Sequence, residues 1–88
     1  MLEMQKERMK TLSLDRLRPG DRAIIEQVAR GQAGVRQRLL EMGLYKGTPV
    51  EFVRSAPMGD PIEVRIKGTK LSLRRAEAKA IMVKKDSQ

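Results

Sequence analysis

Gly34-Val35-Arg36-Gln37-Arg38-Leu39-Leu40-Glu41-Met42-Gly43-Leu44-Tyr45-Lys46-Gly47 is the stretch whose reading decides the fold. Val35, Leu39 and Met42 stand at i, i+4 and i+7, so they share one stripe of a short helix of about two turns. Gly43 follows the last periodic residue, where a left-handed C-cap needs a residue without a Cβ, and Leu44 then folds back onto Leu39 in a Schellman cap. Tyr45-Lys46-Gly47-Thr48 reverses the chain as a type II turn, because Gly47 occupies the position that requires positive φ. Pro49-Val50 begins an extended run. The helix therefore joins two halves of a chain whose remaining pattern is mostly strand.

Working outward, Asp21 to Ala29 is a strand in which the doubled Ile24-Ile25 leaves the buried face undecided and admits a bulge. Gly31 and Gly34 bracket a flexible link into the helix. On the other side, Val50-Glu51-Phe52-Val53-Arg54 is a strand of mixed period. Pro57 and Pro61 then brace a loop in which Gly59 permits a tight turn. Ile62-Glu63-Val64-Arg65-Ile66-Lys67 alternates strictly between apolar and charged, which predicts a strand with one wet face. Gly68-Thr69 reads as a hairpin turn and Leu71-Ser72-Leu73 as the returning strand. Arg74 to Ala80 is long enough for one helical turn, and Ile81-Met82-Val83 closes the domain as a last strand. Near the amino end, Thr11 to Leu17 holds a capped single turn that tucks Leu14 and Leu17 inward before the Pro19-Gly20 turn. The expected fold is mainly β: a small, partly open barrel of about five strands with one short inserted helix. Residues 1–10 read as a flexible basic tail, 11–84 as the barrel and 85–88 as a second tail.

The chain has 88 residues, one Phe, one Tyr and no Trp, so an aliphatic core has to hold one domain together. Cysteine and histidine are both absent. That removes disulfides, catalytic thiols, imidazole bases and the ligands most transition metals prefer. No Gly-rich phosphate loop or nucleophile elbow is present either, and the residues point away from an enzyme. No apolar run reaches the length of a membrane span and the charged amino end lacks a signal-peptide core, which favours a soluble, intracellular domain. The formal net charge of +8 favours an acidic partner: nucleic acid, an anionic membrane face or an acidic protein surface.

Several motifs in order carry a family resemblance: Leu14-x-x-Leu17-x-Pro19-Gly20, Arg38-Leu39-Leu40-Glu41-Met42-Gly43-Leu44-x-x-Gly47-Thr48-x-Val50, Ala56-Pro57-Met58-Gly59-Asp60-Pro61-Ile62 and Leu71-x-Leu73-Arg74. From Thr11 to Val83 the chain resembles the FeoA family of ferrous-iron transport accessory proteins. The resemblance implies an SH3-like barrel, similar also to the carboxy-terminal domain of some iron-dependent repressors. It implies a cytoplasmic place at the inner face of the plasma membrane, beside the FeoB transporter and its guanine-nucleotide-binding domain. Two positions depart from the family pattern. Lys46 stands where proline is frequent, and Met58 stands where leucine is commoner.

The functional expectation is a non-enzymatic accessory module of bacterial ferrous-iron uptake, docking on the cytoplasmic part of FeoB and modulating its activity or assembly. Leu39, Leu40, Met42, Leu44 and Tyr45 crowd more apolar side chains around a short helix than one stripe can bury. Leu39 and Leu44 belong to the core, with Gly43, Gly47, Pro57, Gly59 and Pro61 as framework. Leu40 and Tyr45 are the candidates for a partner contact, Met58 is a second anchor, and Arg36 and Arg38 would rim the patch against an acidic surface. No metal site and no cofactor is expected, because Asp60 and Glu63 are dispersed and read as partners of Arg65 and Lys67. The alternative is a small basic β-barrel that binds nucleic acid or accompanies a transcription regulator. Gly31-x-x-Gly34 after a strand resembles a motif of some ribosome-associated factors, while the missing aromatic platform argues against it. Self-association through an exposed strand such as Leu71 to Leu73 is also open.

Overall fold

The computed structural model of the protein describes residues 9–29 and 34–86. The expected tail over 1–8, the Gly31 end of the glycine link and residues 87–88 lie outside the described residues. Six strands form one antiparallel sheet: β1 (Met9–Ser13), β2 (Arg22–Val28), β3 (Pro49–Ser55), β4 (Ile62–Ile66), β5 (Thr69–Leu73) and β6 (Ile81–Asp86). A 3-10 turn (Leu14–Arg16) follows β1, α1 (Val35–Glu41) joins β2 to β3, and α2 (Arg75–Ala78) joins β5 to β6. The strand order β1-β6-β2-β3-β4-β5 leaves β1 and β5 as edges, so the barrel is open.

The helix and its exit form as the residue pattern dictates. Leu39 is sealed in the core, with Val35 and Met42 packed against it half-buried. Gly43 takes φ 96°, the Leu44 amide donates to the Leu39 carbonyl at 3.1 Å and the Gly43 amide to Leu40 at 3.0 Å, which completes a Schellman cap. Thr48 then donates to Tyr45 at 3.1 Å across a type II turn in which Gly47 holds φ 90°. No atom lies within 4 Å of a Cβ built on either glycine, so substitution strains only the backbone. Gly43→Ala and Gly47→Ala should each cost about 1–2 kcal/mol in urea unfolding, and Gly43→Asn should recover part of the loss.

Two bulges settle the irregular strands. In β2 the register shifts between Ile25 and Gln27, so Glu26 is the extra residue and both Ile25 and Val28 turn inward. Ile24 faces out at 41% exposure. In β3 the shift falls between Phe52 and Arg54, which aims Val50 and Phe52 into the core before the strand bends. The bulges explain why neither strand alternates cleanly.

Four expectations change. A sixth strand exists, because β1 runs from Met9 and pairs with β6 from Met9↔Asp86 to Ser13↔Met82. The pairing also draws Lys10, Lys85 and Asp86 out of the expected tails into the sheet. Both segments are charged and carry little alternation, and only their backbones, brought together across the whole chain, make the ladder. The β4–β5 turn is centred on Lys67-Gly68 rather than Gly68-Thr69: Ile66 pairs with Thr69, and φ values of 51° and 81° make a two-residue primed turn. Finally, Glu63 pairs with Arg54 at 2.8 Å and Arg65 with Glu51 at 3.0 Å, because the residue directly opposite on the paired strand lies nearer than the next same-face residue along β4.

Candidate functional site

The reversal that follows α1 lifts one candidate side chain to the surface. Gly43 ends the helix while Leu44 is drawn into the core at 0% exposure, so Tyr45, the next residue, projects outward at 49%. Leu40 is half-buried on the flank of α1. It shares a cleft of about 440 Å³ with Arg36, Lys46 and the bulged end of β2 from Glu26 to Ala29. Lys67 Nζ stands 6.0 Å from the centre of the Tyr45 ring, at the limit of a cation–π contact.

The patch is wider than the sequence indicates. Ile24 and Pro49 are cross-strand partners, and both are exposed next to the Tyr45–Thr48 turn, whose Gly47 amide donates to the Ile25 carbonyl at 2.7 Å. Ile24 was legible only as one of two isoleucines of undecided facing. Counting alternation from Ala23 through Ile25 and allowing one bulged residue before Val28 would have turned it outward.

The arginine rim is committed internally. Arg36 Nε donates to the Val28 carbonyl at 3.3 Å, and Arg38 forms an ion pair with Glu77 of α2. Glu77 is 7% exposed and also accepts the Arg74 amide, so Arg38 neutralises a nearly buried carboxylate. Arg38→Ala should therefore cost about 1–3 kcal/mol in thermal or urea unfolding, whereas Arg36→Ala, losing one long, partly buried bond, should cost less, about 1 kcal/mol or under.

Met58 stands apart. It is 93% exposed at the tip of the β3–β4 loop, where the Gly59 amide donates to Ala56 at 2.7 Å. Tyr45 precedes the start of β3 and Met58 follows its end, so the seven-residue strand separates them by about 20 Å. Tyr45 and Met58 thus lie on different surfaces, while Leu40 lines its cleft beside Lys46, the residue that follows Tyr45.

Among the carboxylates, Asp60 accepts the Arg75 amide at 2.9 Å and Glu63 is held by Arg54. Among the described residues no three of His, Cys, Asp and Glu gather as a metal-binding group. Asp21 has a displaced ionisation: the Arg18 amide donating to Oδ2 at 2.8 Å, helped by Lys85 at 2.9 Å, holds its carboxyl below the usual aspartate range. A lowered pKa in the folded state adds stability that is complete above the ordinary carboxylate value and fades as pH falls through the folded one. The melting temperature of the parent should therefore fall more steeply below about pH 4 than that of Asp21→Asn.

Fold and surface together define the class, a small open SH3-like barrel with an apolar, cation-edged surface beside its helix. The FeoA domain model matches residues 12–85, and the chain belongs to the FeoA family. A Fe(2+) transport protein A/Fe(2+) transporter FeoB fusion protein of Porphyromonas gingivalis is 40% identical over 72 residues, covering 82% of this chain and 8% of that protein. The chain thus spans less than a tenth of that relative. The solution structure of FeoA from Chlorobium tepidum is 44% identical, with a TM-score of 0.75, over 82% of this chain and 68% of that one. FeoA of Stenotrophomonas maltophilia, solved in complex with zinc and described as a prokaryotic SH3-domain protein, is 30% identical. Its TM-score is 0.75 over 88% of this chain and 99% of that one. No helix among the described residues is long and apolar enough to cross a membrane.

Proposed function

We propose that this protein is a non-enzymatic accessory of ferrous-iron uptake that docks on the cytoplasmic part of a FeoB-type transporter and modulates its activity or assembly. The observation that carries the reading is the fusion relative, in which a domain 40% identical to this one shares a chain with the transporter. Joining two modules in one polypeptide raises their effective concentration, which has value only if they meet. The exposed Tyr45 and half-buried Leu40 supply a contact of suitable chemistry, an amphipathic ring and an aliphatic neighbour beside cations. The protein works in this reading at the inner face of the membrane and acts by contact, without holding iron.

Titration of the full chain into a purified cytoplasmic domain of the transporter tests it. The parent should bind, and Leu40→Gln and Tyr45→Ala should each weaken binding about tenfold, equivalent to roughly 1.4 kcal/mol. Full affinity in both variants would move the site elsewhere. No binding by the parent, together with tight, salt-sensitive binding of a nucleic acid, would favour the alternative.

A further inference from the structure

A second surface, distinct from the Leu40–Tyr45 patch, gathers cations at the open end of the barrel. Register places Lys10 of β1 directly opposite Lys85 of β6, and one step inward Leu12 opposite Val83. Val83 is sealed in the core and Leu12 packs against it, so Lys10 and Lys85 continue the inward-facing row past the core's edge. The 3-10 turn and the segment after it add Arg16 and Arg18, which flank the buried Leu17 and are both exposed. Lys10, Thr11, Leu12, Arg16, Arg18 and Lys85 together line a cleft of about 550 Å³. Of its cations only Lys85 has a carboxylate within ion-pair distance among the described residues, and that carboxylate, Asp21, is shared with the Arg18 amide.

Like charges placed opposite each other on paired strands destabilise a sheet. The fold carries that cost at Lys10 and Lys85, next to two further arginines, and Asp21, which meets Lys85, is the one described acid within ion-pair distance. A ligand bearing phosphate would relieve the rest. We infer that this cleft is the contact by which the protein lies against an anionic membrane, with lipid phosphates between Lys10, Arg16, Arg18 and Lys85. The inference rests on the proposed place beside a membrane transporter for its choice of ligand. Nucleic acid fits less well, because neither aromatic residue is available there: Phe52 is buried, and Tyr45 belongs to the patch beside α1.

Co-sedimentation of the full chain with vesicles tests this without any transporter, so the result is independent of the docking experiment. The protein should bind phosphatidylglycerol/phosphatidylcholine vesicles and not phosphatidylcholine alone, and binding should weaken as salt rises. Each of Lys10→Gln, Arg16→Gln and Arg18→Gln should lower the partition coefficient about fivefold, and the triple variant about a hundredfold. Removing like charges should leave the melting temperature of these variants equal to or above that of the parent, a result that a merely structural role for the same residues would reverse. Lys70→Gln, at the other edge of the sheet, should bind like the parent. Equal losses in Lys70→Gln would mean that net charge alone is read and would overturn the assignment. So would full binding by the triple variant, stabilisation by inorganic phosphate without vesicle binding, or tighter binding to duplex DNA than to vesicles at the same salt.

Discussion

Phe52→Ala should lower the free energy of unfolding by about 3–5 kcal/mol in a urea titration. Phe52 is the one aromatic residue in the core, 2% exposed, and the other large hydrophobic side chains buried with it are aliphatic. Removing the ring leaves a cavity bordered by strands whose positions are fixed by hydrogen bonds, so collapse around it is limited. The backbone at this residue is tied as well: its amide donates to Asp21 at 2.9 Å and its carbonyl accepts from Gly20 at 2.8 Å. A domain of this size has roughly 0.05–0.15 kcal/mol of stability per residue, so the loss consumes a large share of the total. Phe52→Leu, which keeps most of the volume, should cost less than half as much. Equal costs for the two variants would show that the ring is not tightly packed.

Arg75→Ala should cost about 2–3 kcal/mol in urea unfolding and loosen the Met58 loop. The guanidinium donates through Nε to the Gly59 carbonyl and through a terminal nitrogen to the Asp15 carbonyl, each at 2.8 Å. One side chain thereby ties the 3-10 turn, the β3–β4 loop and α2 into one unit. The alanine variant retains its own amide bond to Asp60, so α2 should still start at the same residue. Arg75→Lys recovers little, because an ammonium lacks the planar fork that spans two carbonyls. Amide exchange at Gly59 should quicken in both variants by a larger factor than exchange in β4. If Met58 contributes to a partner contact, these variants should weaken that contact without altering Met58 itself, since an unclamped loop has to be ordered on binding.

Arg75 also marks the limit of what local pattern reveals. As one of a pair of arginines before a short helix it reads as a solvated cation, and its partners lie 16 and 60 residues away. Arg38 was legible as an exposed basic residue, yet its ion pair with Glu77 required α1 and α2 to be adjacent. The Schellman exit at Gly43, by contrast, was readable in full, because every atom that makes it lies within a few residues of chain.

The same distinction runs through the whole protein. Sequence alone determined the short helix, its glycine exit, the type II turn, the alternating β4–β5 pair and the family motifs, since each depends on local φ/ψ preference or on a period of apolar residues. Tertiary structure decided the β1–β6 ladder, the outward turn of Ile24, the separation of Met58 from Tyr45 and the row of cations at the open end of the barrel. Those features arise where segments distant in the chain meet, and which segments meet is set by the whole fold rather than by the residues next to each one in sequence.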